Sequence, residues 1–240
     1  MAFSANRSVE NETDDISVET KQETDTKGVY QPAQSYWNRI PATVDGMLGG
    51  FGHLSDVDAN DSHRFLKSLR SKHGVHLGRA LDCGAGIGRV TKVTLLPFFD
   101  SVDMVDVTDN FIQSSADYLG PEFNERVERK LVSGLQDLHP EPNRYDVIWV
   151  QWVAGHLTDD DFVAFVQRCV TALRANGCLV FKENIASTAD PDFDEEDHSW
   201  TRPRQGLLDL FQRAGAKIIA EQKQPNWPRG IYQVRTFALR

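Results

Sequence analysis

A strand-like run that passes straight into alternating glycines, Ala80-Leu81-Asp82-Cys83-Gly84-Ala85-Gly86-Ile87-Gly88-Arg89, constrains this chain more than any other feature. Glycine turns the backbone sharply and admits a ligand where a Cβ would otherwise stand. The helix after such a loop presents free N–H groups at its N-terminus, which suit a carboxylate or another anion. A dinucleotide site needs the spacing G-x-G-x-x-G, with glycine where Arg89 stands, so that ligand class is disfavoured. Asp106, ending Val102-Asp103-Met104-Val105-Asp106, is the acid expected about 20 residues further on, where a carboxylate can accept ribose hydroxyls. Taken alone, the glycines fit a plain tight turn, and Arg89 fits either an exposed helix charge or a fork for a carboxylate.

The surrounding pattern favours the ligand site. Strands are expected over 78–83, 101–106, 127–132, 145–150 and 177–183, with helices over 87–96, 109–119 and 160–173. This alternation implies an α/β fold with a doubly wound parallel sheet. One more helix follows residue 203, then two β-type runs, AKIIAEQ and IYQVRTFAL, which make a seven-stranded sheet with an antiparallel last strand. Upstream, QSYWNRI over 34–40 reads as a short helix stopped by Pro41. Four glycines between Gly46 and Gly52 mark a loop. Asp61 or Ser62 is expected to cap a helix through Phe65, Leu66 and Leu69. These N-terminal helices span about 28–74 of a single domain over 28–240. It follows a leader over 1–27 whose polar composition suggests disorder.

Composition narrows the partners. Thirty-five acids against 26 Lys and Arg leave a formal charge of −9, the wrong sign for a protein that grips nucleic acid and a suitable one for a cationic substrate. Cys83, Cys169 and Cys178 sit in apolar runs without C-x-x-C spacing, so free thiols are expected rather than a disulfide framework or metal site. No secretory h-region and no membrane-length apolar run stand out, and a nuclear and cytoplasmic location is expected.

The motifs YWNRIPATVDGMLGGFGHL, LDCGAGIGRVTK, VDMVDVT, GLQDLHPEP, YDVIWVQWVAGHLTD, KEN and the terminal FALR give the resemblance its specificity. From Tyr36 to Arg240 the chain resembles the α-N-terminal protein methyltransferases, which methylate the free amine of Xaa-Pro-Lys termini. The resemblance implies a class I, Rossmann-like methyltransferase domain with an N-terminal helical extension and S-adenosylmethionine as cofactor. It implies a cofactor site of Gly84, Gly86, Arg89, Asp106, Thr108, Leu135, Gln136 and Gln151. It puts Trp37, Leu48, Trp152, Asn184, Asp194, Ser199 and Tyr232 on the substrate, and His156 and Asp197 in catalysis. Two departures stand out. Glu183 replaces an Asp common in the family. The segment between Asn184 and Arg202 is a residue longer and more acidic, so Glu196 and His198 compete with Asp197 and Ser199 for register.

The chemistry is compatible with this target. An attacking amine must be neutral, and an α-amine of pKa about 8 loses its proton near pH 7 for roughly 1 kcal/mol. A lysine ε-amine would cost roughly 4 to 5 kcal/mol. His156 and Asp197 are suitable proton acceptors, although a histidine opening GHLTDDD also fits a backbone-bonded helix entry. The six carboxylates between Asp190 and Asp197 read either as a solvated loop or as a lip that pairs a substrate lysine. Trp37 and Trp152 offer faces for an alkylated ammonium, whereas Trp149 reads as core. Asn184 reads as a peptide contact or as a loop start. A methyltransferase for a small-molecule amine and a non-catalytic cofactor-binding scaffold are the alternatives.

Overall fold

The computed structural model describes residues 27–240. The leader expected over 1–27 lies outside the described residues except for Lys27, which opens helix α1 (Lys27–Trp37). In chain order there follow α2 (Val44–Met47), α3 (Ser55–His73), β1 (Arg79–Cys83), β2 (Ser101–Asp106), α4 (Asp109–Leu119), α5 (Pro121–Asn124), β3 (Val127–Val132) and β4 (Tyr145–Gln151). After them come α6 (Asp159–Ala172), β5 (Leu173–Ile185), a hairpin of β6 (Asp192–Asp194) and β7 (Ser199–Thr201), α7 (Arg204–Arg213), β8 (Ile218–Lys223) and β9 (Gln233–Leu239).

Seven strands form one sheet in the order β3-β2-β1-β4-β5-β9-β8, in which β9 runs antiparallel to both its neighbours and the other pairs are parallel. Every residue of β4 is buried, as a central strand covered on both faces requires. Its side chains alternate between two cores. Ile148 and Val150 join Phe162 and Phe165 of α6 and Phe211 of α7, while Val147 and Trp149 join Phe65, Leu66 and Leu69 of α3. Because β1 has β2 on one side and β4 on the other, the winding direction reverses between β1 and β4. A crevice therefore opens at the carboxyl ends of these strands.

Four local expectations need correction. Helix α1 begins at Lys27 rather than 34 and closes at Trp37. Asn38, Arg39 and Ile40 follow it as tightened turns, because the residue before Pro41 is disfavoured in the helical region. Helix α3 starts at Ser55, so Asp61 and Ser62 cap nothing; they lie buried inside the helix, where Lys182 of β5 reaches both. The helix expected over 87–96 widens into a π-type turn over Thr91–Leu95, with Leu96 N–H reaching back to the Thr91 carbonyl and Thr91 Oγ1 tied to Asp82 Oδ2 at 2.6 Å. The acidic segment carries the β6–β7 hairpin instead of an unstructured loop. Among the described residues no helix is long and apolar enough to cross a membrane.

Phe181 sits at the centre of the first core, stacked on Phe162 with centroids 5.1 Å apart and 5.2 Å from Phe211. Phe181→Ala should lower the unfolding free energy by about 3–5 kcal/mol, because the truncation leaves a cavity that rigid sheet neighbours cannot close. A denaturant titration of both proteins checks this, and an unchanged midpoint would show that the core collapses around the gap.

Candidate active site

The glycine loop leaves β1 and bends over the crevice. Gly84 and Gly86 both adopt positive φ, 70° and 54°, and a Cβ on Gly86 would strike the Met47 sulfur. Asp106, at the end of β2, anchors the loop: its Oδ2 accepts from Gly86 N–H and its Oδ1 from Thr108 N–H, both at 2.8 Å. Burial pushes the Asp106 carboxyl up, and these two backbone donors oppose that rise. An ionised carboxylate has about four lone-pair sites, so two stay available for ligand hydroxyls. Asp82, under the same loop, is pushed up to about 6 by burial against the pull of Thr91.

Gly84, Gly86, Arg89, Asp106, Leu135, Gln136 and Gln151 surround one cavity of about 150 Å³. Tyr30 and Trp37 of α1 cover it, and the Tyr30 hydroxyl bonds to the Asp161 carboxylate at the start of α6. Leu135 and Gln136 are fixed from behind by Arg168, which donates to their two carbonyls, each at 2.9 Å. Thr108 does not line the cavity; it is fully buried and contributes its N–H to Asp106 instead. The buried Arg89 guanidinium lies 5.5 Å from the Trp152 ring centroid and donates to Asp58 at 2.8 Å. Gln151 lines the same wall, but its amide nitrogen donates to both oxygens of Asp58 and its oxygen accepts from Trp149.

A second, wider cavity of about 940 Å³ includes Leu48, Asn184, Asp197, Ser199 and Tyr232. The two cavities share the walls Trp37, Met47, Trp152 and His156, so they meet there. Trp37 Nε1 donates to His156 Nε2 at 3.0 Å, and His156 Nδ1 faces the His198 carbonyl at 3.4 Å. This network assigns the proton to Nδ1 of a neutral ring. Burial pulls the His156 pKa down against the attraction of the Asp197 carboxylate. Asp197 Oδ1 and Trp152 Nε1 are buried without a hydrogen-bond partner among the described residues, which marks the second cavity as a place for polar ligand atoms.

Of the two competing registers, the cavity is lined by the residues of one, Asp197 and Ser199, and not by Glu196, which is exposed, or by His198. Asp194 does not line it: the side chain is exposed on β6 and turns back to accept from Glu196 N–H at 2.8 Å. Trp152 holds φ at 55°, a strained conformation for a bulky residue. The turn is pinned by Trp152 N–H on the Lys182 carbonyl at 3.1 Å and by Glu183, whose Oε1 accepts from Val153 and Ala154 N–H at 3.3 and 3.1 Å.

Sequence reasoning missed Asp58, Lys182, Arg168, Trp227 and the structural role of Glu183. For Asp58 a signal existed: Asp58, Asp61, Ser62, Phe65, Leu66 and Leu69 recur at helical spacing, which puts the polar residues on the buried stripe. Burial pushes the Asp58 carboxyl up, but Lys182 and Arg89 together outweigh burial and hold it below the usual carboxylate range.

Residues 25–240 match the family described as AdoMet dependent proline di-methyltransferase. The chain is 49% identical over 213 residues to N-terminal Xaa-Pro-Lys N-methyltransferase 1-B of Xenopus laevis, covering 88% of this chain and 95% of that one. It is 47% identical to N-terminal Xaa-Pro-Lys N-methyltransferase 1 of Homo sapiens, covering 90% of this chain and 97% of the human one. A SAM-dependent methyltransferase of Leishmania major superposes with a TM-score of 0.83 at 36% identity, covering 90% of this chain and 85% of that chain. A phosphoethanolamine N-methyltransferase of Haemonchus contortus shares the fold alone, with a TM-score of 0.66 at 18% identity, over 92% of this chain and 51% of that one.

Glu183 gives a pH test of the pinned turn. Burial raises its carboxyl to about 7 against the pull of the Ala154 and Val153 N–H groups. A raised acid contributes stability below its ordinary value of about 4.5 and loses it as pH climbs through 7, here ~3 kcal/mol. Glu183→Gln keeps an acceptor oxygen without the charge. The variant should therefore gain stability relative to the parent between pH 5 and pH 8 in paired denaturant titrations. Parallel pH slopes for the two proteins would contradict the assignment.

Proposed function

The chain belongs to the AdoMet-dependent proline di-methyltransferase family, and from that premise we propose that it methylates the free α-amine of protein chains beginning Xaa-Pro-Lys. It is an enzyme that uses S-adenosylmethionine. The observation that carries the proposal is the junction: a narrow cavity behind the glycine loop meets a wide one at Trp37, Met47, Trp152 and His156, with the unpartnered Asp197 Oδ1 in the wide one.

The residues of the narrow cavity fit the cofactor. Arg89 would offer guanidinium N–H groups to its carboxylate, Asp106 would accept ribose hydroxyls on its free lone pairs, and Leu135 and Gln136 would hold the adenine. Bound there, the cofactor supplies an electrophilic sulfonium methyl. Every further requirement falls on the protein. Trp37 and Trp152 wall the junction and favour an amine that stays cationic while it becomes more apolar. Asp197 accepts the ammonium and takes its proton. His156 Nε2 is already engaged by the Trp37 indole, so His156 orients that wall.

Asn184 and Tyr232 line the path for the following peptide residues, and Leu48 narrows the entrance. The exposed carboxylates of the hairpin, Asp194 among them, attract the substrate lysine at longer range. A cavity of about 940 Å³ leaves room for the residues that follow the amine in a peptide. Nuclear and cytoplasmic residence completes the reading; it is supported by three buried free cysteines, which suit a reducing compartment.

Incubation with S-adenosylmethionine and a Ser-Pro-Lys peptide should add successive methyl increments in mass spectrometry. The same peptide with an acetylated N-terminus should gain none. Asp197→Asn should lower kcat about 10²–10⁴-fold with a smaller change in KM for the cofactor. Turnover of free small amines without any on the peptide would overturn the proposal in favour of a small-molecule methyltransferase.

A further inference from the structure

Behind the narrow cavity, helix α3 sends fully buried acids into the face of the sheet. The Asp58 carboxylate accepts from Arg89 Nη1 at 2.8 Å and from Gln151 Nε2 at 2.9 and 3.0 Å, and Lys182 Nζ lies 2.6 Å from its Oδ1. Lys182 also donates to the Asp58 carbonyl at 3.1 Å and to Ser62 Oγ at 2.9 Å, and lies 4.0 Å from Asp61 Oδ2. Two carboxylates therefore face two cations in the dry interior. Arg89 and Gln151, which line the cavity, come from the loop after β1 and the end of β4. One carboxylate from a third element sets the orientation of both.

The arrangement is asymmetric in a telling way. Among the described residues, Arg89 has one protein acceptor, Asp58, although a guanidinium carries five N–H donors. Its central carbon lies 5.5 Å from the Trp152 ring centroid, and the residue borders the cavity. The Gln151 amide is by contrast held at both ends, its nitrogen by Asp58 and its oxygen by Trp149, so its orientation is fixed and it serves as a wall. Simple neutralisation of Lys182 needs no contact to Arg89 or Gln151. The fan of bonds from Asp58 to both cavity residues goes beyond that need.

We propose that Asp58 is a positioning residue for the cofactor: it aims Arg89 at the cofactor carboxylate and locks Gln151 as the adjoining wall. This rests on the assignment of Arg89 to the cofactor carboxylate, and it is independent of which amine is methylated. Asp58 touches no reacting atom; it acts through Arg89 and Gln151. Loss of the carboxylate frees the guanidinium to rotate off the Trp152 face, and cofactor affinity falls while the peptide cavity is unchanged.

The test measures the Kd of S-adenosylhomocysteine by calorimetry, with KM values for S-adenosylmethionine and for a Ser-Pro-Lys peptide. Asp58→Asn alone strands Lys182 and Arg89 and can fail to fold, so the decisive variant is Asp58→Asn with Lys182→Met, which removes one buried charge of each sign. Its Kd and cofactor KM should rise about ten- to a hundredfold, with peptide KM within about twofold. Arg89→Ala should weaken cofactor binding comparably, and adding Asp58→Asn and Lys182→Met to it should cost little more, because both changes disable one device. A double variant that folds and binds S-adenosylhomocysteine as tightly as the parent overturns the positioning role and leaves Asp58 a purely structural partner of Lys182. Parental affinity in Arg89→Ala overturns the underlying assignment of Arg89, and the proposal with it.

Discussion

Two cations, Arg89 and Lys182, lie buried where the sheet meets its N-terminal extension, and Asp58 makes that burial tolerable. An unpaired charge in such a place would be prohibitive, and a pair left without further hydrogen bonds would gain little over an apolar contact. Here Asp58 accepts from three side chains of the sheet and its loops, and Gln222 and Arg64 engage Asp61 next to it. The cluster therefore fixes α3 in angle and register as well as attaching it, since a rotation of one residue would strand every member. The loop before α3, with Met47 and Leu48, lies over the junction, and α1 closes the narrow cavity through Tyr30 and Trp37, which are bonded directly to Asp161 and His156.

The strained turn at Trp152 has the same logic on the opposite wall. A tryptophan at φ 55° persists only where its surroundings over-determine it. Three backbone bonds, to Lys182 and to Glu183, supply that constraint from β5. The strain presents one face of the indole to Arg89 and brings Trp227 within 6.2 Å of the ring. Val153, the next residue, packs so closely on Gly84 that any Cβ there would collide with it. The glycine loop and the turn after β4 thus shape each other. Neither could change alone, which gives Gly84 a packing reason beside the ligand reason read from its motif.

Parts of this structure that follow from short-range pattern were legible. The strand over 127–132 and the helix over 109–119 coincide with β3 and α4, since apolar period and turn residues lie within the elements themselves. The widened turn at Thr91–Leu95 was not legible, and it is accompanied by a bond from Thr91 to Asp82 on the preceding strand that no local pattern announces. Nor was the buried cluster, whose members are separated by 93 and 124 residues and carry the side chains that ordinarily mark a surface. The family motifs named residues that do line the two cavities, such as Gln151 and Asp197, yet gave no hint that the Gln151 amide is held at both ends by Asp58 and Trp149. Asp194 and Thr108 show the converse: motif position put them in the site, and local bonds turn one outward and bury the other. The β6–β7 hairpin was hidden because its strands alternate acids and small polar residues with aromatics that stay exposed.

The burial that raises Asp106 and Glu183 also lowers His156, so the walls around the junction favour uncharged groups. For a methyl acceptor this matters at each cycle. The amine must arrive as the free base, and after each transfer short of the last it must lose another proton before it can attack again. An α-amine of pKa about 8 meets that demand for roughly 1 kcal/mol near pH 7, whereas a lysine side chain would need several times as much from the same site. The two cavities divide the work accordingly. The narrow one is lined by the residues that fit the cofactor, and the wide one carries Asp197. The lower pKa of a chain terminus thus favours it over a lysine by about 3 kcal/mol in deprotonation alone, before any contact in the site is counted.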